Sequence, residues 1–330
     1  MDKRYQNFIN IINSSERIVI VQADNPDADS LGSAIALESI LHSMDKNVSL
    51  YCGVDIPDYL KYMTAWSRVS AELPNNYDCL IIVDASSDSL LEKLYADKNY
   101  TNNGTTLVLD HHASVQDQIE AQIIINEPGV SSTGELIYKL FSSLNIEIPI
   151  EAVESILAAI MGDTQGLSNS LAIPDTYRVV ANIIEAGVDR SALEEARRNY
   201  SKMTEDVFRY KAKLIERTEL FINNSLAIVK VTYDEIVTYS PKYNPVALIQ
   251  FDMLQIEGVK VAIVFKTYND GKITAAIRAN SGSPIAGKIA TKFGGGGHDY
   301  ASGFKIIDSQ NFNDLKIECI NYIENQITNN

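Results

Sequence analysis

Basic residues are scarce for the length. The 330 residues carry 28 Lys and Arg against 43 Asp and Glu, a formal net charge of −15 with His neutral. Such a balance disfavours any protein that coats long nucleic acid through its phosphates. Cysteine is scarcer still. The 3 cysteines, Cys52, Cys79 and Cys319, are odd in number, far apart and without a Cys-x-x-Cys pair, so neither a disulfide framework nor a zinc knuckle is indicated and a reduced compartment is expected. No apolar run approaches the roughly 18 residues that span a bilayer. The opening MDKRYQNFINIINSSER mixes charge with Asn too early for a signal peptide. The expectation is a soluble, cytoplasmic protein without a membrane partner.

With 45% hydrophobic and 22% charged residues, disorder and collagen-like repeats are excluded and ample material remains for buried cores. The length suits two domains. Charge is unevenly placed: from Asn223 to Asn330 acidic and basic residues number 10 each, so the deficit lies in residues 1–222. Lys260, Lys266, Lys272, Arg278, Lys288 and Lys292 face only Asp270 within their stretch, which reads either as a local anion-binding face or as a solvated lysine-rich surface.

The first half alternates short apolar runs with amphipathic segments, the pattern of a parallel sheet covered by helices. Strands are predicted at Arg17–Gln22, Val48–Cys52, Cys79–Val83, Thr105–Leu109 and Ala121–Asn126, with a helix from Ser30 to Met44. Ser132-Thr-Gly-Glu135 has capping-box spacing and opens a helix to about Leu144. Another helix is predicted over Glu151–Met161, and consecutive helices, broken near Gly187, run from Asp175 to about Phe221. Beyond them come strands at Leu226–Thr232, Val259–Thr267 and Lys272–Arg278, the last two joined by Tyr-Asn-Asp-Gly. A helix at Ser283–Phe293, a run Gly294-Gly-Gly-Gly-His298, a strand at Gly303–Ile307 and a final helix complete the chain. The expected class is α/β in two domains: 1–190 with a parallel sheet, a helical linker 191–222, and a smaller α/β domain 223–330.

Chemistry-bearing residues recur at predicted strand ends, where ligands gather in open α/β sheets. Asn25-Pro-Asp-Ala-Asp29 places Asp27 and Asp29 two apart in the turn after the first strand. Asp84 ends one strand, Asp110-His111-His112 ends the next, and Asp163 follows a helical run. Taken singly, Asp29 or Ser30 would serve as a helix cap and a strand-end Asp as a loop hydrogen-bonder. Together they read differently. Clustered carboxylates raise one another's pKa unless a cation neutralises them, and carboxylates with imidazole are a natural cage for two divalent ions that clamp a phosphoryl group. Oxygen and His donors without thiolate point to manganese first and magnesium second. The reading from the residues is metal-assisted phosphate ester hydrolysis.

Asn25-Pro-Asp-Ala-Asp29, Asp84, Asp110-His-His112, Gly162-Asp163 and Gly294-Gly-Gly-Gly-His298 occur in that order, which resembles the DHH phosphoesterase superfamily with its DHH-associated C-terminal domain, and within it the nanoRNase/pAp phosphatase group. The resemblance implies a metal-bearing N-terminal domain facing a substrate domain across a cleft, two manganese ions, and a homodimer. Carried over, Asp27 matches the first-metal ligand, Asp29 the second-metal ligand and Asp84 the bridging carboxylate. His111 and Asp163 match further ligands of the second metal, His112 the imidazole on the scissile phosphate, and Asp110 the group that orients the histidine pair. An activated water would attack phosphorus in line, and Asp84→Ala would abolish turnover with the fold intact. Arg278, Gly295, Gly296, Gly297 and His298 match the residues that hold a distal substrate phosphate, which makes a ruler for short molecules and excludes long duplexes.

One position departs from the pattern. The family usually has a histidine four residues before the first motif aspartate, and Ala23 stands there. Either Asp24, Gln22 or water completes the first metal site, or that site is weak. The implied activity is a manganese-dependent exoribonuclease on short single-stranded RNA, with or without pAp phosphatase activity. The alternatives are a phosphodiesterase for linear or cyclic dinucleotides (pGpG, pApA, c-di-AMP) and a non-catalytic nucleotide sensor, for which Ala23 is the supporting feature.

Overall fold

The computed structural model describes residues 2–85, 87–101, 104–112, 119–240, 242–297, 299–307 and 311–328. The chain divides into two compact units, Met1–Lys202 and Met203–Asn330.

The first unit runs α1 (Lys3–Ser14), β1 (Arg17–Val21), α2 (Ala28–Ser43), β2 (Asn47–Tyr51), β3 (Val69–Ser70), β4 (Cys79–Val83), α3 (Glu92–Ala96), β5 (Thr105–Asp110), β6 (Ile123–Asn126), α4 (Thr133–Ser143), α5 (Ile150–Asp163), α6 (Pro174–Glu185) and α7 (Arg190–Tyr200). Its six strands are ordered β3-β2-β1-β4-β5-β6, and every pairing is parallel. The chain winds outward from β1 to β3, then returns to lay β4 on the other side of β1. That reversal makes a crevice between the carboxyl ends of β1 and β4, where an open α/β sheet binds its ligand.

Alternation along the strands builds two cores. Ile18, Ile20, Ile81, Val83, Leu107 and Leu109 face the layer of α2, α4 and α5, while Val19, Val21, Leu80, Ile82 and Val108 pack with Leu91 and Leu94 on the other side. Helix α2 is buried from Asp29 to Leu41, as a helix enclosed by sheet and helices must be. Two glycines permit that packing. A Cβ on Gly32 would lie 2.6 Å from the Ser155 carbonyl oxygen, and one on Gly134 would lie 2.6 Å from the Ala159 Cβ.

The second unit runs α8 (Glu205–Glu216), β7 (Glu219–Phe221), β8 (Leu226–Val231), α9 (Tyr233–Tyr239), α10 (Pro245–Leu254), β9 (Val261–Thr267), β10 (Ile273–Ala279), α11 (Ala286–Lys292), β11 (Gly296–Gly297), β12 (Ala301–Ile306) and α12 (Phe312–Thr328). Its sheet is mixed, in the order β11-β12-β10-β9-β8-β7, with only β8 and β9 parallel.

Several sequence expectations need correction. Helix was expected to about Phe221, but Glu219–Phe221 pairs antiparallel with β8. The chain reverses there through Ile222, Asn223 and Asn224, all at positive φ (55°, 50° and 65°), and two asparagines make that left-handed turn accessible. Helices α9 and α10 were not anticipated. The Ser132 capping box is half formed: Ser132 accepts from the Glu135 N–H, but the Glu135 carboxylate turns to Ser131, Thr176 and Lys139 instead. Helix α7 falls in the first unit and α8 in the second. None of the described helices is long and apolar enough to cross a membrane.

Candidate metal centre

Three elements of the first unit deliver acids to the crevice. After β1 the chain turns so that Asp27 caps α2, its Oδ1 accepting from the Ser30 N–H at 2.9 Å. Two residues further, in the first turn of α2, Asp29 is fully buried. It accepts from Ser33 Oγ at 2.9 Å, from the Thr133 N–H at 2.7 Å and from the Gly134 N–H at 3.0 Å. The first residues of α4 thus point their unpaired amides at it, as helix N-termini do towards anions. Asp84 follows β4 with φ +55, a left-handed backbone that a non-glycine residue adopts only when its surroundings impose it. Its Oδ1 accepts from Thr133 Oγ1 at 3.2 Å. Asp163, the last residue of α5, brings a fourth carboxylate.

His111 joins them. Its Nε2 lies 3.1 Å from Asp163 Oδ2, 3.4 Å from Asp29 Oδ2 and 3.6 Å from Asp84 Oδ1, yet among the described residues no aligned hydrogen bond reaches that buried nitrogen. A ring nitrogen surrounded by three carboxylate oxygens from three elements fits a shared cation better than any single hydrogen bond. Among the described residues two groupings have metal-ligand spacing: Asp29, His111 and Asp163, and Asp84, His111 and His112. Oxygen and imidazole donors without thiolate suit a divalent first-row ion or magnesium. The residues present therefore fit such an ion.

Electrostatics agree. Burial raises the Asp84 carboxyl well above the ordinary range, and the charges of Asp29, Asp27, Asp163 and Asp110 push it the same way. Asp29 is raised by burial and by Asp163, against the pull of His111 and the two α4 amides. Asp27 is raised by burial and by Asp29. Burial would lower His111, but Asp163, Asp29 and Asp110 carry it up to about 9. Without a cation, the cluster holds its negative charge under strain.

His112 is fixed differently. Its Nδ1 lies 2.7 Å from Asp110 Oδ1, and the same oxygen accepts the His111 N–H at 2.9 Å. Burial would raise Asp110, but its bond to His112 and both imidazole charges lower it. Burial would lower His112, and Asp110 overrides that and raises it.

The residues weighed for completing the first ion position fare unequally. Asp24 is engaged elsewhere, its Oδ2 accepting the Lys93 N–H at 2.8 Å. Ala23 is 3% exposed within the apolar cluster on the α3 side of the sheet. Gln22 is 1% exposed, and neither atom of its amide finds a partner among the described residues. Thr133, Gly134 and Ser33 escaped the sequence reading as partners of the acids. The Ser132-Thr-Gly-Glu135 helix start signalled them only as a cap.

Residues 17–161 match the DHH family, N-terminal domain, and residues 233–325 match the DHHA1 domain. The chain belongs to the DHH phosphoesterase superfamily. Over 314 residues this DHH protein is 27% identical to the cyclic-di-AMP phosphodiesterase GdpP of Geobacillus thermodenitrificans, an alignment that takes in 87% of this chain but only 44% of GdpP. It is 24% identical over 289 residues to the bifunctional oligoribonuclease and PAP phosphatase NrnA of Thermus thermophilus, covering 87% of this chain and 83% of NrnA. In fold it resembles the crystal structure of an exopolyphosphatase-related protein from Bacteroides fragilis, with a TM-score of 0.85, 21% identity, and coverage of 99% of this chain and 98% of that one.

In the DHHA1 unit, Arg278 lies on β10 opposite Ala301 of β12, and Gly297 of β11 opposite the next residue, Ser302. The arginine and the glycine run therefore sit at one end of the sheet. Arg278 is exposed, and among the described residues its Nη1 donates to the adjacent Ile277 carbonyl at 3.3 Å. Strand packing accounts for two of the glycines. A Cβ on Gly295 would lie 2.1 Å from the Gly303 carbonyl oxygen, and Gly297, at φ +130, would place one 2.6 Å from the Ser302 Cα. Gly296 has open space where its Cβ would be. His298 lies outside the described residues.

Proposed function

We propose that this DHH protein is a divalent-metal-dependent phosphodiesterase that hydrolyses short oligoribonucleotides to mononucleotides, with pAp as a further substrate and manganese as the preferred ion. The observation that carries the reading is the His111 nitrogen lying within 3.6 Å of carboxylates from Asp29, Asp84 and Asp163, a donor set built for a cation at a sheet edge that binds ligands. The match to NrnA along most of both chains supports the substrate class.

Asp29, Asp84, His111 and Asp163 would hold one ion, and Asp27 with Asp84 would help to hold a second. When bound, such ions stabilise negative charge on phosphoryl oxygens and make water acidic enough to attack phosphorus. The chain's own groups do the rest. Asp110 positions His112 and favours its protonated form, so the imidazolium can donate to a phosphate oxygen as charge develops. The amides of Thr133 and Gly134 keep Asp29 in place, and Thr133 Oγ1 does the same for Asp84. Arg278 holds a phosphate with its guanidinium fork.

A second reading is supported by GdpP, whose name specifies a cyclic-di-AMP substrate. The two are separated by incubating the protein with manganese and pAp, pGpG, cyclic di-AMP or RNA of a few nucleotides, and resolving products over time. Mononucleotide release from the short RNAs supports the proposal. Turnover of cyclic di-AMP alone replaces it with the second reading, and tight binding without turnover of any member identifies a sensor.

A further inference from the structure

We propose that the open face of the DHHA1 sheet carries a second anion-binding point, formed by Lys266, Thr274 and Lys305, which takes one phosphate of a single-stranded RNA while Arg278 takes another. The inference rests on the phosphodiesterase reading above and deepens it, because it names the length of substrate that this unit favours.

Strand register gathers these groups on one face. Thr274 of β10 lies opposite Lys266 of β9 and opposite Lys305 of β12. Four residues further along β10, Arg278 lies opposite Ala262 and Ala301. Residues an even number apart share a face of a sheet, so Thr274, Ala276 and Arg278 stand together, while Ile273, Ala275 and Ile277 turn to the core on the other side. Helix α10 covers β8 and β9 on the first face, where Leu248, Ile249 and Met253 pack with Val229, Ala262 and Val264. It leaves β10 and β12 open. Thr274, Ala276, Ala301 and Gly303 are half-exposed and Arg278 and Lys305 exposed, while the residues between them are buried.

Positive charge on this face is left without a counter-charge. Lys266 Nζ donates to the neutral Asn244 Oδ1 at 3.1 Å, and Arg278 Nη1 to a backbone carbonyl. Partial desolvation lowers the pKa of both, and no described acid opposes it. Elsewhere acids do oppose it: Asp2 raises Arg4, Asp78 raises Arg17, and Glu38 with Glu151 raises Arg68 against desolvation. Other cations of the lysine-rich stretch are engaged, Lys292 Nζ lying 3.9 Å from Glu318 Oε1 and Lys272 Nζ 3.9 Å from the Tyr268 ring centre. In a chain of net charge −15, cations kept together without acids suit an anion from outside.

Spacing selects the anion. Four residues of antiparallel strand span about 13 Å, and side chains stand roughly perpendicular to a sheet, so the two points lie farther apart than the phosphates on either side of one nucleoside. A ligand that reaches both carries phosphates in series on an extended backbone, as an oligonucleotide does and pAp does not. Between the points Ala276 lies opposite Gly303, a floor low enough for that backbone to lie flat.

The test compares 5′-phosphorylated RNA of two and of four nucleotides on the full-length protein, as KM and kcat in manganese and as equilibrium binding in EDTA. Lys266→Gln, Lys305→Gln and the double variant are set beside wild type, and the exposed position of Lys305 guards against a folding defect. In the double variant the tetranucleotide KM should rise at least about tenfold, the worth of a charge-assisted hydrogen bond, and at least about fivefold more than the dinucleotide KM, with kcat held. The salt dependence of tetranucleotide binding should become shallower, and Lys266→Arg should keep the wild-type ratio of the two KM values. Equal losses for both lengths, or no loss for the tetranucleotide, would overturn the proposal. A wild type that hydrolyses no RNA defeats the phosphodiesterase reading instead. Binding then decides: the second point stands if the tetranucleotide binds at least about tenfold more tightly than the dinucleotide and loses that margin in the double variant, and falls otherwise.

Discussion

The Asp29 carboxylate accepts the Thr133 backbone N–H at 2.7 Å, although 104 residues separate the two. An acid in the first turn of α2 is thereby locked to the first turn of α4, and Gly134, whose missing Cβ leaves room for Ala159 of α5, lets α5 close against that same turn. Gly134→Ala gains about 1 kcal/mol in helix propensity but forces a contact that costs about 1–3 kcal/mol. The net expectation is a modest fall in the urea midpoint. A fall of about tenfold in metal affinity accompanies it, because the α4 amides shift away from Asp29. An unchanged manganese isotherm would show that the α4 amides do not position the ligand.

Asp84 is a second place where backbone and chemistry meet. At φ +55, alanine would add roughly 1 kcal/mol of left-handed strain to the loss of the carboxylate, whereas asparagine tolerates the conformation. Asp84→Asn is therefore the cleaner variant. Turnover should drop by at least about a hundredfold in both, with circular dichroism unchanged, while only Asp84→Ala lowers the melting temperature as well. Full activity in Asp84→Asn would rule out the proposed site.

Acid stability should report on Glu135. Burial would raise this carboxyl, but Lys139, Ser131 and Thr176 hold it below its usual 4.5. A carboxyl depressed on folding adds stability that is fully present above its unfolded value and is lost as pH falls through the folded one. The melting temperature of the wild type should thus exceed that of Glu135→Gln above about pH 5. The gap should close as the solution is made more acidic than the unfolded value of 4.5. A gap that widens on acidification would reverse the assignment.

Arg278 carries a prediction about the DHHA1 unit. Arg278→Ala should raise the KM for a substrate with a terminal phosphate by about tenfold to a hundredfold, the worth of a charge-assisted hydrogen bond, and leave manganese binding unaltered. Lysine should not restore it, since a point charge cannot reproduce the fork. An unchanged KM in Arg278→Ala would remove Arg278 from the substrate site.

The acids and the histidine pair were legible because β1, β4 and β5 carry apolar runs, the pattern of strands buried on both faces, with Asp84 directly after β4, Asp110 closing β5, and Asp27 in the turn that follows β1. Other features were not. Helix α10 reads Pro-Val-Ala-Leu-Ile-Gln-Phe-Asp-Met-Leu, apolar nearly all round, so no period separates it from a buried strand. The Glu135 carboxylate satisfies Ser131 and Thr176 rather than its own helix cap, a choice that depends on α6 being packed against α4.

Local sequence alone determined the alternation of strand and helix, the placement of Asp27, Asp29, Asp84 and Asp110 at strand ends, and the donor types on offer, because side-chain periodicity and turn chemistry act between near neighbours. Only tertiary structure decided that Asp24 accepts the Lys93 N–H, that Asp29 is held by the amides of a distant helix, and how closely the His111 nitrogen approaches the carboxylates of three separate elements. Those outcomes depend on which helix packs into which crevice, and packing is set by the whole core rather than by any segment of it.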